Sequence, residues 1–312
     1  MYKEALDLIH NSHYILIITH INPDADTLSC ALAISNYLSE NKIKHKVFNK
    51  QNDLPNNLDF LNGFNKITDQ FPKFYDLAIY VDCGDINRPA VNIDENCKII
   101  NFDHHQSNNN YGFINFVDDS KASTAEIIFD FFTKNNLKIS KNTAECLYTG
   151  IYDDSLAFTT PRTDELTFKA INHLVKCGAV PSYIASMLTQ RQSLAKLKIQ
   201  TKILNSLELH EDGQIATIHV LPLWLEQTGA SYKDCDEAIN MVLNLGIVQI
   251  AIFFRVSNDI TRISLRSKKV DVSKIASYFN GGGHKNAAGC RIKTNNIEEA
   301  KNILFNYIKE IK

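Results

Sequence analysis

Apolar and polar positions along this chain follow two different periods, and each change of period marks an element. Residues 14–20 (YILIITH) are a short apolar run with the length and β-branched content of a buried strand. Over residues 26–40, Leu28, Ala31, Leu32, Ile34 and Leu38 recur at three- and four-residue spacings, which predicts an amphipathic helix. Residues 46–49, 77–82 (LAIYVD) and 98–102 (KIINF) read as further strands. Helices are expected from Ser123 through 132, over 142–151 and over 163–177. Ser123 with Glu126 three residues later has the spacing of a capping box. Continuous apolar strands separated by helices predict a parallel sheet with helices on both faces.

Pro181 restarts the chain, and residues 182–209 carry a long helical pattern. From about Gly213 the pattern becomes βαββαβα. Strands are expected over 215–220, 248–256 and 260–267, then a helix over 272–279. A glycine run, a strand over 290–293 and a last helix from Ile297 follow. The fold class read from this order is α/β. A parallel-sheet domain (1–185) is joined by a helical connector (186–208) to a smaller mixed α/β domain (209–312).

The 312 residues are 44% hydrophobic and 22% charged, which excludes disorder, collagen and coiled coil. Thirty-three basic against 35 acidic residues leave a net charge of −2. That balance speaks against a protein held on long duplex DNA by broad charge. It leaves room for a small anionic substrate gripped by a few arginines. The seven cysteines are scattered with no CxxC pair, against both a disulfide framework and a thiolate zinc site. There is no apolar segment of signal-peptide or membrane-span length at the N-terminus or elsewhere. A reduced, cytoplasmic protein without a membrane partner is expected.

Chemistry gathers at three strand ends. The first gives His20-Ile21-Asn22-Pro23-Asp24-Ala25-Asp26, the second Asp82-Cys83-Gly84-Asp85 and the third Asp103-His104-His105. Open parallel sheets collect ligands at the carboxyl ends of their strands, so these segments should converge. Singly, each Asp reads as a helix N-cap and each His as a satisfied polar residue. Together, carboxylates crowded in this way repel unless a cation neutralises them. Mixed Asp and His donors suit Mn²⁺, Fe²⁺, Co²⁺ or Zn²⁺, and the oxygen-rich balance leans to Mn²⁺. The number of candidates suggests two ions, which can share a hydroxide and clamp a phosphoryl group.

Asp103-His104-His105, with His20-x-x-x-Asp24-x-Asp26 upstream and Asp82 between, resembles the DHH phosphoesterase superfamily. Gly281-Gly282-Gly283-His284 followed by Ala287-Ala288-Gly289 resembles its DHH-associated second domain. Size and order most resemble the branch that cuts very short RNAs and removes the 3′-phosphate of 3′-phosphoadenosine 5′-phosphate (pAp). The resemblance implies that His20, Asp24 and Asp82 bind one metal. It implies that Asp26, Asp82, His104 and Asp154 bind the second, with Asp82 shared. Relatives commonly have Asp-Thr-Gly where this chain has Asp154-Ser155-Leu156, and often Gly where it has Ser29. Hydroxide attack on phosphorus is then expected, with His105 on a phosphoryl or leaving-group oxygen and Asp103 orienting the neighbouring imidazole.

Arg262, Ser264 and Arg266 alternate with Ile263 and Leu265, which puts the three polar side chains on one face. Two guanidinium groups there can fork onto a phosphate. Gly281, Gly282 and Gly283 let the backbone approach an anion, and His284 is placed to stack on a base or bind phosphate. By resemblance, this face holds the substrate's terminal phosphate or base. The expected substrates are short single-stranded RNA, linear dinucleotides such as pApA and pGpG, and pAp. A homodimer through the first domain follows from the resemblance alone. Competing readings within the superfamily are a cyclic dinucleotide phosphodiesterase, a single-strand-specific exonuclease and an inorganic pyrophosphatase. From another class comes a nucleotide-binding regulator without turnover.

Overall fold

The structure, a computed structural model, describes residues 1–51, 53–257 and 259–310. The chain divides into two compact units, Met1–Arg191 and Gln192–Lys312. The first runs α1 (Tyr2–Asn11), β1 (Ile15–Ile18), α2 (Ala25–Glu40), β2 (His45–Phe48), β3 (Leu77–Val81), β4 (Lys98–Asp103), β5 (Ile114–Val117), α3 (Thr124–Lys134), α4 (Lys141–Asp154), α5 (Glu165–Lys176) and α6 (Pro181–Thr189). Its strands form a five-stranded sheet in the order β2-β1-β3-β4-β5, and every pairing is parallel. The order reverses between β1 and β3, which makes their carboxyl ends the switch point where such sheets collect ligands.

Period-two alternation divides the first core between the two faces of the sheet. Ile15, Ile17, Ile79, Ile100 and Phe102 pack with Leu28, Ala31, Ile128 and Leu147 from the helices. Leu16, Ile18, Ala78, Tyr80 and Ile99 point the other way. They are closed over by Tyr75, Ile86, Val91, Ile93 and Tyr111 from irregular segments. In the first unit, α1 and β5 were not anticipated from sequence. α1 buries only Ala5 and Ile9. β5 is four residues that alternate buried and half-buried at the sheet edge, too short for its period to stand out. Of the expected capping box only half forms. Ser123 Oγ accepts from Glu126 N at 3.3 Å, but the Glu126 carboxylate lies 3.9 Å from Lys121 Nζ.

The second unit runs α7 (Leu194–Asn205), β6 (Glu208–His210), β7 (Ile215–Val220), α8 (Pro222–Thr228), α9 (Ala238–Leu243), β8 (Ile250–Val256), β9 (Thr261–Ser267), α10 (Val272–Tyr278), β10 (Gly282–His284), β11 (Ala287–Ile292) and α11 (Ile297–Glu310). Its six-stranded sheet has the order β10-β11-β9-β8-β7-β6. Only the β7–β8 pairing is parallel. The helical pattern over 182–209 is two helices, not one. α6 ends at Thr189, and Ser193 starts α7 by accepting from Lys196 N at 3.0 Å. α7 buries Ile199 and Ile203 against Val220, Ala251 and Phe253 of the second core. The glycine run is also not a loop throughout. Gly282 pairs with Gly289 and Gly283 with Ala288 in a hairpin whose return strand starts at Ala287. Small residues on both strands hid that pairing from a reading based on turn composition. Among the described residues, no helix is long and apolar enough to cross a membrane.

Phe102 is 1% exposed, stacks on Phe116 with centroids 4.8 Å apart and meets the Phe131 ring edge-on at 5.4 Å. Phe102→Ala is expected to lower stability by about 3–5 kcal/mol in urea unfolding followed by circular dichroism. Phe113→Ala, at a position 58% exposed, should cost less than about 1 kcal/mol.

Candidate metal centre

The predicted acidic and imidazole residues meet at the carboxyl edge of the first sheet, and helix N-termini position the carboxylates. Asp24 caps α2, with Oδ1 accepting from Thr27 N at 2.9 Å. The N-cap reading and the ligand reading therefore both apply to it. Its Oδ2 lies 3.9 Å from His20 Nε2. His20 donates from Nδ1 to the Ile21 carbonyl at 2.8 Å, which leaves Nε2 turned toward Asp82 Oδ2 at 3.5 Å. Burial works against a charge on His20, yet Asp82, the Ile21 carbonyl and Asp24 together raise its pKa. A site that favours a proton on this nitrogen is one where a cation can replace the proton.

Asp26 is 1% exposed and sits at the N-terminus of α3. It accepts from Thr124 N at 2.7 Å and Ala125 N at 3.1 Å, where the helix dipole favours negative charge. Even so, burial pushes its pKa well up, and the charges of Asp82, Asp154 and Asp24 add to the shift. Asp82 follows β3 directly and holds a left-handed backbone with φ of 58°. Such a conformation in a non-glycine residue costs energy and persists only where surrounding contacts impose it. Here Asp82 N donates to Phe102 O at 2.9 Å. The carboxylate accepts from Thr27 Oγ1 at 2.7 Å and Thr124 Oγ1 at 2.8 Å. Burial alone would raise the pKa of Asp82. The hydrogen bond from His20, the charge of His105 and the Thr27 hydroxyl outweigh it and hold the carboxyl below the usual range.

His104 turns Nδ1 toward the Lys121 carbonyl at 3.4 Å and Nε2 toward two carboxylates. These are Asp154 Oδ2 at 3.3 Å and Asp82 Oδ1 at 3.7 Å. Three groups of donors within 4.8 Å of one another result: His20, Asp24 and Asp82; Asp26, His104 and Asp154; and Asp82, His104 and His105. They share members, so they form one connected cluster. Its crowded carboxylates and its two Nε2 atoms, each left facing inward by an Nδ1 contact, fit a divalent cation. Of the neighbouring pair Asp153 and Asp154, Asp154 is the one that joins this cluster. His105 donates from Nδ1 to Asp103 Oδ1 at 2.7 Å, chiefly for which reason its pKa rises to about 9. Asp103 is fully buried, and Asn108 Nδ2 donates to its other oxygen at 2.5 Å.

Sequence reasoning missed several supporting residues. Thr27 and Thr124 hold Asp82, and their only sequence signal was position in a helix's first turn. Gly150 on α4 lies behind Asp26. A Cβ there would stand 2.5 Å from Asp26 Oδ1 and 2.6 Å from Ser29 Oγ, so the close approach of α2 and α4 depends on its absence. Two buried cysteines border the cluster. Cys30 Sγ donates to Asp26 Oδ1 at 3.4 Å, and Cys83 Sγ donates to Val81 O at 3.2 Å.

In the second unit, Arg262, Ser264 and Arg266 share one face of β9, and Ile263 and Leu265 enter the core from the other. Arg262, Ser264 and Gly281 line a cavity of about 430 Å³ with Phe279, Asn280, Gly289 and Arg291. Arg266, Gly282, Gly283 and His284 do not line it. The last three are exposed on β10.

Known proteins share the order of the two domains. The model of the DHH family, N-terminal domain, matches residues 14–151, and that of the DHHA1 domain matches residues 213–310. The bifunctional oligoribonuclease and PAP phosphatase NrnA of Bacillus subtilis is 25% identical over 310 residues, which cover 97% of this chain and 96% of that one. The probable bifunctional oligoribonuclease and PAP phosphatase NrnA of Streptococcus mutans is 28% identical over 294 residues, 92% of each chain. A crystal structure of an exopolyphosphatase-related protein from Bacteroides fragilis superposes with a TM-score of 0.87 at 24% identity, covering 99% of this chain and 95% of that one. With both domains matched in order and the acidic and imidazole cluster at the sheet's carboxyl edge, the chain belongs to the DHH phosphoesterase family.

Proposed function

We propose that this chain hydrolyses very short oligoribonucleotides, linear dinucleotides among them, to mononucleotides, and that it also converts pAp to AMP. The observation that carries the reading is the connected donor cluster, in which Asp82 and His104 each belong to two groups. The activities printed for relatives that align along nearly the whole chain give the substrate class. Two ions, Mn²⁺ by the balance of carboxylate to imidazole, would supply a water of lowered pKa and offset charge on the phosphoryl group.

The residues divide the remaining work. His20, Asp24 and Asp82 hold one ion; Asp26, Asp82, His104 and Asp154 hold the other. Thr27 and Thr124 keep both oxygens of Asp82 aimed into the cluster. His105, with Nδ1 committed to Asp103, offers Nε2 to a phosphoryl or leaving-group oxygen. Asp103 is a positioning residue: it fixes the ring and favours the charged imidazole. In the second unit, Arg262, Ser264 and Arg266, with Gly281, Gly282, Gly283 and His284, are the substrate-contacting residues.

The test offers pApA, a five-residue RNA, a 24-residue RNA, pAp, cyclic di-AMP and pyrophosphate to the protein in Mn²⁺. AMP release from pApA, the five-residue RNA and pAp is expected, with little from the 24-residue RNA. Asp82→Ala should lower kcat by roughly a thousandfold, the size of losing several kcal/mol of charge stabilisation. Turnover confined to pyrophosphate or to cyclic di-AMP refutes the substrate assignment.

The ion assignment has its own readout. In EDTA, Asp154→Asn removes one charge from a repelling cluster. It should raise Tm by roughly 2–4 °C, equivalent to about 1 kcal/mol. In Mn²⁺ the native chain should gain more in Tm than the variant. An equal gain in both counts against Asp154 as a ligand.

A further inference from the structure

The register of the second sheet sets three arginines side by side. Arg262 on β9 has Arg255 of β8 as its partner on one flank and Arg291 of β11 on the other. Like charges directly opposite on neighbouring strands repel, because their Cβ atoms lie only about 4.5–5.5 Å apart. The first arginine is compensated. Arg255 Nη2 donates to Asp236 Oδ1 at 2.6 Å, and its guanidinium lies over the Phe253 ring at 4.8 Å. The other two are not. Both are exposed, and among the described residues neither Arg262 nor Arg291 forms an ion pair or a side-chain hydrogen bond. Arg266 differs on each count. Its partners across the strands are Ala251 and Ala287, and it donates to the Leu265 carbonyl at 3.1 Å.

Arg262 and Arg291 line the same cavity of about 430 Å³, together with Ser264, Phe279 and Asn280. Two uncompensated guanidiniums on adjacent strands, opening into one cavity, suit an anion that carries close to two charges. We propose that Arg291 joins Arg262 on this phosphate-holding face and sets its preference for a terminal phosphomonoester over an internal phosphodiester. A phosphomonoester carries about −1.5 to −2 at neutral pH, and an internal diester carries one charge. Each guanidinium can present a planar fork of donors to phosphate oxygens. Arg291 lies outside the alternating Arg262, Ser264 and Arg266 set, on a different strand, and only the β9–β11 register brings it alongside. The subsite deepens the proposed function and rests on it for the kinetic part of its test alone.

Binding is measured first, without turnover. Calorimetric titration of the full chain in EDTA compares AMP with adenosine. AMP should bind at least about tenfold more tightly, the size of one charge-assisted hydrogen bond. Arg291→Gln should close most of that gap, and Arg291→Lys should retain part of it. Equal affinity for the two ligands in the native chain, or a gap that Arg291→Gln leaves intact, overturns the subsite. The kinetic part compares pApA with ApA in Mn²⁺. Arg291→Gln should raise KM for pApA about tenfold and leave KM for ApA and both kcat values within about twofold. An equal rise in KM for both dinucleotides overturns the phosphate preference. If the native chain hydrolyses neither dinucleotide while the AMP gap holds, the proposed function fails and the subsite stands.

Discussion

Mutual repulsion among carboxylates is the constraint around which the first unit is built. Asp24, Asp26, Asp82 and Asp154 converge at one sheet edge, and two of them are almost wholly buried. The imidazoles of His20 and His105 relieve that conflict at Asp82, but at Asp26 burial and the neighbouring carboxylates leave the pKa well up. The fold answers the repulsion with dipoles and donors placed from several directions. α2 starts at Asp24, α3 starts against Asp26, and two threonine hydroxyls close on Asp82. The rest of the architecture brings those helix ends to one place. The strand order turns between β1 and β3, so the loops after both strands open on the same edge as the end of β4. A divalent cation then completes an arrangement that is electrostatically unfinished without it.

Much of this was legible in the sequence because it rests on period and on residue chemistry. The strands carrying Ile17, Ile79 and Ile100 are continuous apolar runs, and such runs between helices mean a parallel sheet. His20, Asp82 and Asp103 stand at or just past strand ends, where the fold class places chemistry. The donor types were readable too, since few residue types can hold a divalent ion. The supporting residues were not. Thr27 and Thr124 look like ordinary first-turn residues of helices, and Gly150 looks like a tolerated glycine in a helix. Their importance comes from what faces them in space, separated by as many as 124 positions in the case of Asp26 and Gly150.

The second unit shows the same limit in another form. Alternation in a single strand gave the face shared by Arg262, Ser264 and Arg266. It could not give Arg291, because pairing between strands depends on register, and register is fixed by turns and cores rather than by either strand alone. The 182–209 segment failed for a related reason. Helical spacing continues across the break, but Ile199 and Ile203 answer to the second core, and Ser193 starts a new helix to let them.

Cys30 and Cys83 sit among these carboxylates, and the same negative field acts on sulfur. Burial, reinforced by Asp26 and Asp82 for Cys30 and by Asp82 and Asp103 for Cys83, pushes both thiols well above their ordinary pKa. The thiolate is the form that peroxides oxidise and that thiophilic metals seize. The field favours the thiol form at both positions, where each sulfur serves as a weak hydrogen-bond donor. Without a bound cation, the border of the centre therefore carries two sulfurs in the form that peroxides and thiophilic metals attack least.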